Sequence, residues 1–220
     1  MQLSTAFFNV DALTLAQKLV GKVICRKYQN LMLKARIIET EAYDADDKAS
    51  HSYAGFSEKR KAMFMPPGTI YMYYARGHDS FNISAKGDGA AVLIKSAIID
   101  PREIDNMPMI KAMQKLNPAK DGSLRKPERL LSGQTLLCKS LNITVKAWDQ
   151  RTFNADLFIE DCRDCPKVLI QTTRLGIAEK RDADLLHRFI DHQYAAQATQ
   201  NPLRQKKTVV YHLLNVSDLE

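Results

Sequence analysis

The run Ile37-Ile38-Glu39-Thr40-Glu41-Ala42-Tyr43 constrains the fold more than any other stretch of this chain. Its first residues have the β-branched, apolar character of a buried strand. Its last residues carry two carboxylates and an aromatic ring, which a hydrophobic core does not absorb unpaired. A strand built this way has to run out of the core into a cleft. Side chains alternate along an extended strand, so Ile37, Glu39, Glu41 and Tyr43 are predicted to share one face, with neighbours on it about 7 Å apart. Carboxylates at that spacing suit an acid and base pair, and a solvated strand end is the plainer alternative. His51, Tyr71, Tyr73 and Tyr74 follow downstream and favour a site, although a lone histidine is more often a surface residue and tyrosines two apart can simply line a strand.

The chain has 220 residues, 45% of them hydrophobic, and a formal charge of +7. That is enough apolar material for one domain spanning residues 1–220, with 201–220 as a loosely packed tail. The positive balance favours a phosphate-rich partner, because neutralising phosphates releases counterions, but it equally suits an ordinary basic protein. Aromatic faces beside a candidate base narrow the choice to chemistry on something flat and anionic, such as a nucleotide in a polynucleotide. No run approaches the roughly 20 apolar residues of a spanning helix, so no membrane partner is expected. The start Met1-Gln2-Leu3-Ser4-Thr5 lacks the basic and apolar regions of a secretory signal, which implies a cytoplasmic location, in a bacterial-type cytosol or nucleoid. Cys25, Cys138, Cys162 and Cys165 offer a single CxxC at 162–165 with no second pair, so reduced thiols and no metal are expected.

The element pattern predicts an α+β fold, a curved and mainly antiparallel sheet with flanking helices. Asp11 caps a short helix stopped by Gly21, and strand-like runs at 22–28 and 34–43 form a hairpin around Gln29-Asn30. Residues 44–68 form a long irregular segment, of the kind that more often serves function than accident. Strands follow at 69–75, 80–86 and 90–99, the last two joined by a turn at Lys86-Gly87-Asp88-Gly89. Helices are predicted at 106–115 and from a Ser132 cap to Leu141, then strands at 156–161 and 167–173, and a helix beginning near Asp184. Basic residues gather at Lys59-Arg60-Lys61, between Lys111 and Lys139, and at Arg204, Lys206 and Lys207. No GxSxG elbow, phosphate-binding P-loop or HExxH zinc helix is present.

Several motifs taken together are more specific. Glu39-Thr40-Glu41-Ala42-Tyr43, then Ala49-Ser50-His51-Ser52, Ala62 through Tyr73 (AMFMPPGTIYMY), Asn82-Ile83-Ser84, and Gly87 through Ile94 (GDGAAVLI) resemble the alkyladenine (3-methyladenine) DNA glycosylase family. Weaker similarity continues through Ser132-Gly133-Gln134 and Thr173-Arg174-Leu175-Gly176. The resemblance implies an enzyme that flips a damaged purine out of double-stranded DNA and hydrolyses its bond to deoxyribose, as a monomer without cofactor. It implies that Glu41 is the general base, that Tyr43 and His51 stack on the two faces of the flipped base with Tyr73 as a third wall, and that Asn82 disfavours guanine by crowding its exocyclic amino group.

Two positions depart from the family. Where it commonly has a tyrosine wedge that fills the gap left by the flipped nucleotide, this chain aligns Arg76, with Tyr74 as an alternative wedge. Where it often has an arginine beside the attacking water, this chain has Lys95, which keeps the charge but not the fixed fork of donors. An amine there also raises a Schiff-base, strand-cleaving alternative, against which Glu41 and water already supply the chemistry. A catalytically weakened lesion-binding protein, a nucleoside hydrolase and an RNA-directed enzyme are the competing readings.

Overall fold

In the computed structural model, which describes residues 1–162, 165–205 and 209–218, one mostly antiparallel sheet organises the chain. Its strands are β1 (Val23–Tyr28), β2 (Leu31–Tyr43), β3 (Ile70–Ala75), β4 (His78–Ser84), β5 (Ala91–Ile99), β6 (Leu157–Glu160), β7 (Val168–Thr172), β8 (Arg188–Asp191) and β9 (Tyr211–Asn215). The helices are α1 (Thr5–Phe8), α2 (Ala12–Leu19), α3 (Met107–Leu116), α4 (Gln134–Ser140) and α5 (Val145–Trp148). The strand order is β3-β4-β5-β2-β8-β7-β9, with β1 and then β6 branching from β2. The architecture is α+β, as predicted. No helix among the described residues is long and apolar enough to cross a membrane.

The 13-residue β2 is the spine. One edge pairs with β5 from Ala35 to Tyr43. The other is divided: β1 takes residues 31–36 and β8 takes 39–41, while Gly21 and Lys22 exchange backbone hydrogen bonds with Ile37 at the junction. Gly21 is suited to that crossing because its φ is +89° and a Cβ there would stand 2.6 Å from Pro166 Cδ. It also terminates α2, whose N-cap Asp11 accepts from the Thr14 amide and whose Leu15, Ala16 and Leu19 are buried.

The main core lies on one face of the sheet, beneath α2, α3 and α4. Leu33, Ala35 and Ile37 point into it, and so do Ala42 and Ile94 further along. The odd residues of β2 therefore do not all share a face: Ile37 is in the core, and further along it is the even-numbered Thr40 that faces α2 on that same side, donating to the Ala16 carbonyl at 2.8 Å. The predicted alternation fails at a double irregularity. Ile37 pairs with Ala97, Glu39 with Ser96 and Thr40 with Ile94, so Ile38 on β2 and Lys95 on β5 are each passed over. An extra residue in a strand reverses the facing of everything beyond it. Glu39, Glu41 and Tyr43 thereby reach the face opposite the core.

Other differences have local causes. Ser132 does not cap α4; its hydroxyl donates to the Gln197 carbonyl, and Gly133, with φ +99°, is the N-cap. The helix predicted near Asp184 is instead a turn leading into β8. The charges at the ends of β8 are not solvated: Arg188 donates to Glu39 at 2.6 Å, and Asp191 lies 3.5 Å from the Arg36 guanidinium. Residues 211–215 of the predicted tail pair with β7, and Lys206 and Lys207 lie outside the described residues, as do Arg163 and Asp164 of the CxxC segment.

Arg188 and Glu39 are both fully enclosed, and Glu39 also accepts from the Thr199 amide at 2.8 Å. Removing one partner of such a pair strands the other charge, so Arg188→Leu should cost about 3–5 kcal/mol in urea unfolding. The double variant Arg188→Leu/Glu39→Leu should recover much of that loss. A single variant with an unchanged midpoint would show that the pair does not secure β8.

Candidate active site

On the face opposite the main core, the ends of β2 and β5, the β3–β4 hairpin, the segment 49–63, the start of α4 with the loop before it (132–136), the loop 175–177 and residues 199–200 enclose a cavity of about 690 Å³. That volume falls in the range of small-molecule sites. Glu41, Tyr43, His51, Tyr73, Arg76, Asn82 and Lys95 all line it, so the structure brings together every candidate site residue except Tyr74.

Glu41 is the innermost charge, with no exposure to solvent. One carboxylate oxygen lies 3.3 Å from Lys95 Nζ and accepts from the Leu175 amide, also at 3.3 Å. The other accepts from the Tyr43 hydroxyl at 2.7 Å. A buried anion needs this compensation. Lys95 can provide it because the irregularity in β5 turns its side chain to the cavity face. Burial and the nearby Glu41 anion push the Tyr43 hydroxyl well above the ordinary tyrosine value, so the phenol keeps its proton and stays a donor.

Tyr43 is itself backed by Arg174, whose guanidinium lies 4.6 Å from the ring centre. Arg174 donates to the Ala42 carbonyl at 3.0 Å and pairs with both oxygens of Asp47. The irregular segment after β2 is thus tied to the strand end by a buried ion pair. Neither Arg174 nor the Leu175 amide was singled out as a site group from the sequence; the signal available was the short motif Thr173-Arg174-Leu175-Gly176.

The second wall is aromatic. Tyr71 and Tyr73 alternate with the core residues Ile70 and Met72, so both rings face the cavity side, 5.6 Å apart and nearly parallel. The His51 ring sits edge-on to Tyr73 at 4.2 Å, and its Nδ1 is 2.8 Å from the Tyr71 hydroxyl. Partial burial, with the positive charges of Arg60 and Arg181, holds the His51 imidazole below the ordinary histidine value. A neutral imidazole therefore faces the cavity at pH 7. Arg60 also donates to the His51 carbonyl, fixing the turn that carries the ring. Asn82 pairs with Tyr71 across the hairpin and donates its amide to the Tyr71 carbonyl at 3.1 Å.

The hairpin tip separates the two candidate wedges. Arg76 (φ +51°) and Gly77 (φ +81°) form a two-residue turn with both central residues left-handed, which matches the twist of paired strands. Arg76 lines the cavity, and its guanidinium reaches toward Gly176, with Nη2 3.8 Å from where a Cβ at that glycine would stand. Tyr74 is 61% exposed and, by alternation, points to the other face from Tyr71 and Tyr73. The basic residues divide similarly. Lys59 and Lys61 are exposed on the segment that carries His51 and Met63, both cavity-lining, whereas Lys111 and Lys115 ride on α3, across the sheet from the cavity.

A buried carboxylate held by an ammonium and two hydrogen-bond donors, beneath a cleft walled by aromatic rings, is suited to activating water beside a flat substrate. Comparison with known proteins identifies the family. The chain is 52% identical over 200 residues to a protein of Pseudomonas syringae pv. tomato, covering 90% of each chain. It is 48% identical over 219 residues to one of Pseudomonas aeruginosa, covering 98% of this chain and 92% of that one. A protein of Clostridium botulinum is 32% identical over 194 residues, covering 86% and 95%. All three are provisionally named 3-methyladenine DNA glycosylases. The family described as Methylpurine-DNA glycosylase (MPG) matches residues 6–195. With most of its length matched and its motifs converging on one cavity, the chain belongs to the methylpurine-DNA glycosylase family, DNA glycosylases that hydrolyse N-glycosyl bonds.

Proposed function

We propose that this protein starts base excision repair by flipping alkylated purines, 3-methyladenine among them, and deaminated purines out of duplex DNA and releasing them by direct hydrolysis. The observation that carries this reading is Glu41, a fully buried carboxylate at the cavity wall with donors on both oxygens. A base inside the stack offers no path to its glycosidic bond, so extrusion precedes chemistry, and damaged or mispaired bases are the easiest to extrude. The extruded purine lies between the Tyr43 and His51 rings with Tyr73 as a side wall, and Asn82 crowds the exocyclic amino group of guanine. Glu41 draws a proton from water as the water oxygen bonds to C1′. The glycosidic bond breaks, and the purine leaves with the bonding electron pair. Burial of Glu41 strengthens its action on charge developing at the sugar.

Lys95 is ion-paired with Glu41 at 3.3 Å, which favours water as the nucleophile and a monofunctional enzyme. Arg76 is the better placed of the two wedge candidates, because it lines the cavity from the hairpin tip. Its planar guanidinium can stack on bases and meet a phosphate. Lys59 and Lys61 supply further phosphate contacts that position the duplex without reading its sequence.

Single-turnover release from duplexes carrying 3-methyladenine, 7-methylguanine or hypoxanthine should fall about 100- to 10,000-fold in Glu41→Gln, the usual share of a general base, while duplex affinity persists. Wild-type protein that binds damaged duplex but releases none of the three bases would make a lesion-binding protein the better account. Borohydride should trap no covalent protein–DNA adduct during turnover; an adduct lost in Lys95→Met would overturn direct hydrolysis. The pH dependence of stability follows from His51 and from His187, whose imidazole is also held low by burial and by Arg174. Both groups bind protons more weakly folded than unfolded. Their stabilising effect is complete above the unfolded value of about 6.5 and is lost as pH falls through the lower folded values. Urea midpoints should therefore drop from pH 7 to pH 5, and less steeply in His187→Phe.

A further inference from the structure

The guanidinium of Arg174 is buried behind Tyr43, on the side away from the cavity. Tyr43 lines that cavity and Arg174 does not. The guanidinium is held in place by the Ala42 carbonyl at 3.0 Å, by both oxygens of Asp47, and by the Asp182 carbonyl at 3.3 Å. Its distance from the Tyr43 ring centre, 4.6 Å, is that of a cation–π contact. An aromatic face attracts a cation through the negative potential of its π cloud. A cation fixed against one face draws on that potential and leaves the opposite face less attractive to a second cation. Asp47 balances the overall charge of Arg174 but does so by hydrogen bonding at the N–H groups, which leaves the guanidinium itself against the ring.

We propose that Arg174 is a specificity-determining residue: by occupying the rear of Tyr43 it cancels the cation–π reward that a positively charged alkylated purine would otherwise gain there, so that neutral lesions compete for the same site. This rests on the glycosylase reading and on Tyr43 as a stacking face. His51 on the other wall acts in the same sense, since Arg60 and Arg181 keep positive charge close to it. Glu41, which favours positive charge on the leaving base or the sugar, is present in wild type and in every Arg174 variant alike, so it does not enter the change in the ratio between them. Arg174 touches no substrate; it acts through Tyr43, and a purely structural clamp between Asp47 and the strand end is the alternative to be separated from it.

The test is the ratio of single-turnover release rates for 7-methylguanine, a cation, and hypoxanthine, which is neutral, placed in otherwise identical duplexes. In Arg174→Met/Asp47→Asn the cationic-to-neutral ratio should rise roughly fivefold, within the span that a cation–π contribution gives. Arg174→Lys, which restores the charge, should return the ratio to within about twofold of wild type. A ratio unchanged while both rates fall together would leave Arg174 as a clamp only and overturn the proposal, as would a ratio that rises equally in Arg174→Lys. Thermal unfolding reports whether each variant folds. Should the double variant not fold, Tyr43→Leu decides: with the ring's preference already cancelled, both lesions slow by the same factor, whereas a selective loss of 7-methylguanine release overturns the proposal. Wild-type protein that releases neither base overturns the glycosylase reading and this proposal with it; wild type that releases both, with a ratio unmoved in the double variant, overturns this proposal alone.

Discussion

The structure depends on a reversal of facing at the centre of its sheet. Up to Ile37 the odd residues of β2 pack into the main core, and from Thr40 onward the even residues do. The matching irregularity in β5 passes over Lys95 at the same level. Two bulges side by side keep the ladder antiparallel on either side while rotating what each strand presents. One continuous strand can then anchor in the core and also carry Glu41 to a cleft. Without the reversal, Glu39 and Glu41 would follow Ile37 into an apolar environment at a cost no single strand could bear.

Once the carboxylates are out of the core they still need partners, and the partners come from distant parts of the chain. Glu39 is met by Arg188 and the Thr199 amide, and Glu41 by Lys95 and the Leu175 amide. The segment after residue 173 therefore completes the charge balance of the strand. It also explains why β8, only four residues long, can sit beside β2: its arginine neutralises one acid, and its aspartate answers Arg36. Folding and site assembly are coupled through the same ion pairs.

Much of this was legible in the sequence, for identifiable reasons. The strands at 22–43 and 69–99, the helix after Asp11 and the helix after Asn106 depend on local periodicity and capping, which a linear reading captures. The convergence of Glu41, Tyr43, His51, Tyr73, Asn82, Arg76 and Lys95 was legible through family resemblance, because their spacing alone left a solvated strand end open. What escaped depends on long-range partners. A bulge has no composition of its own, so Ile37 was assigned the wrong face. Residues 188–191 give no sign of a strand until Glu39 and Arg36 are placed beside Arg188 and Asp191, and Ser132 looks like a cap until Gln197 offers it an acceptor. Arg174 hid for the same reason, since its meaning lies in Asp47 and Tyr43, more than a hundred residues away.

The sheet also acts as a partition. Main core and cavity lie on opposite faces, so the residues lining the cavity share a backbone, but not a packing environment, with the residues of the main core. Tyr71, Tyr73, Asn82, Ala91 and Leu93 could be exchanged one by one without opening a void beneath α2 or α3. Change on the cavity face is therefore felt by a small second cluster, Ala62, Met63, Tyr71 and Ala91, and not by the main core that holds the helices to the sheet.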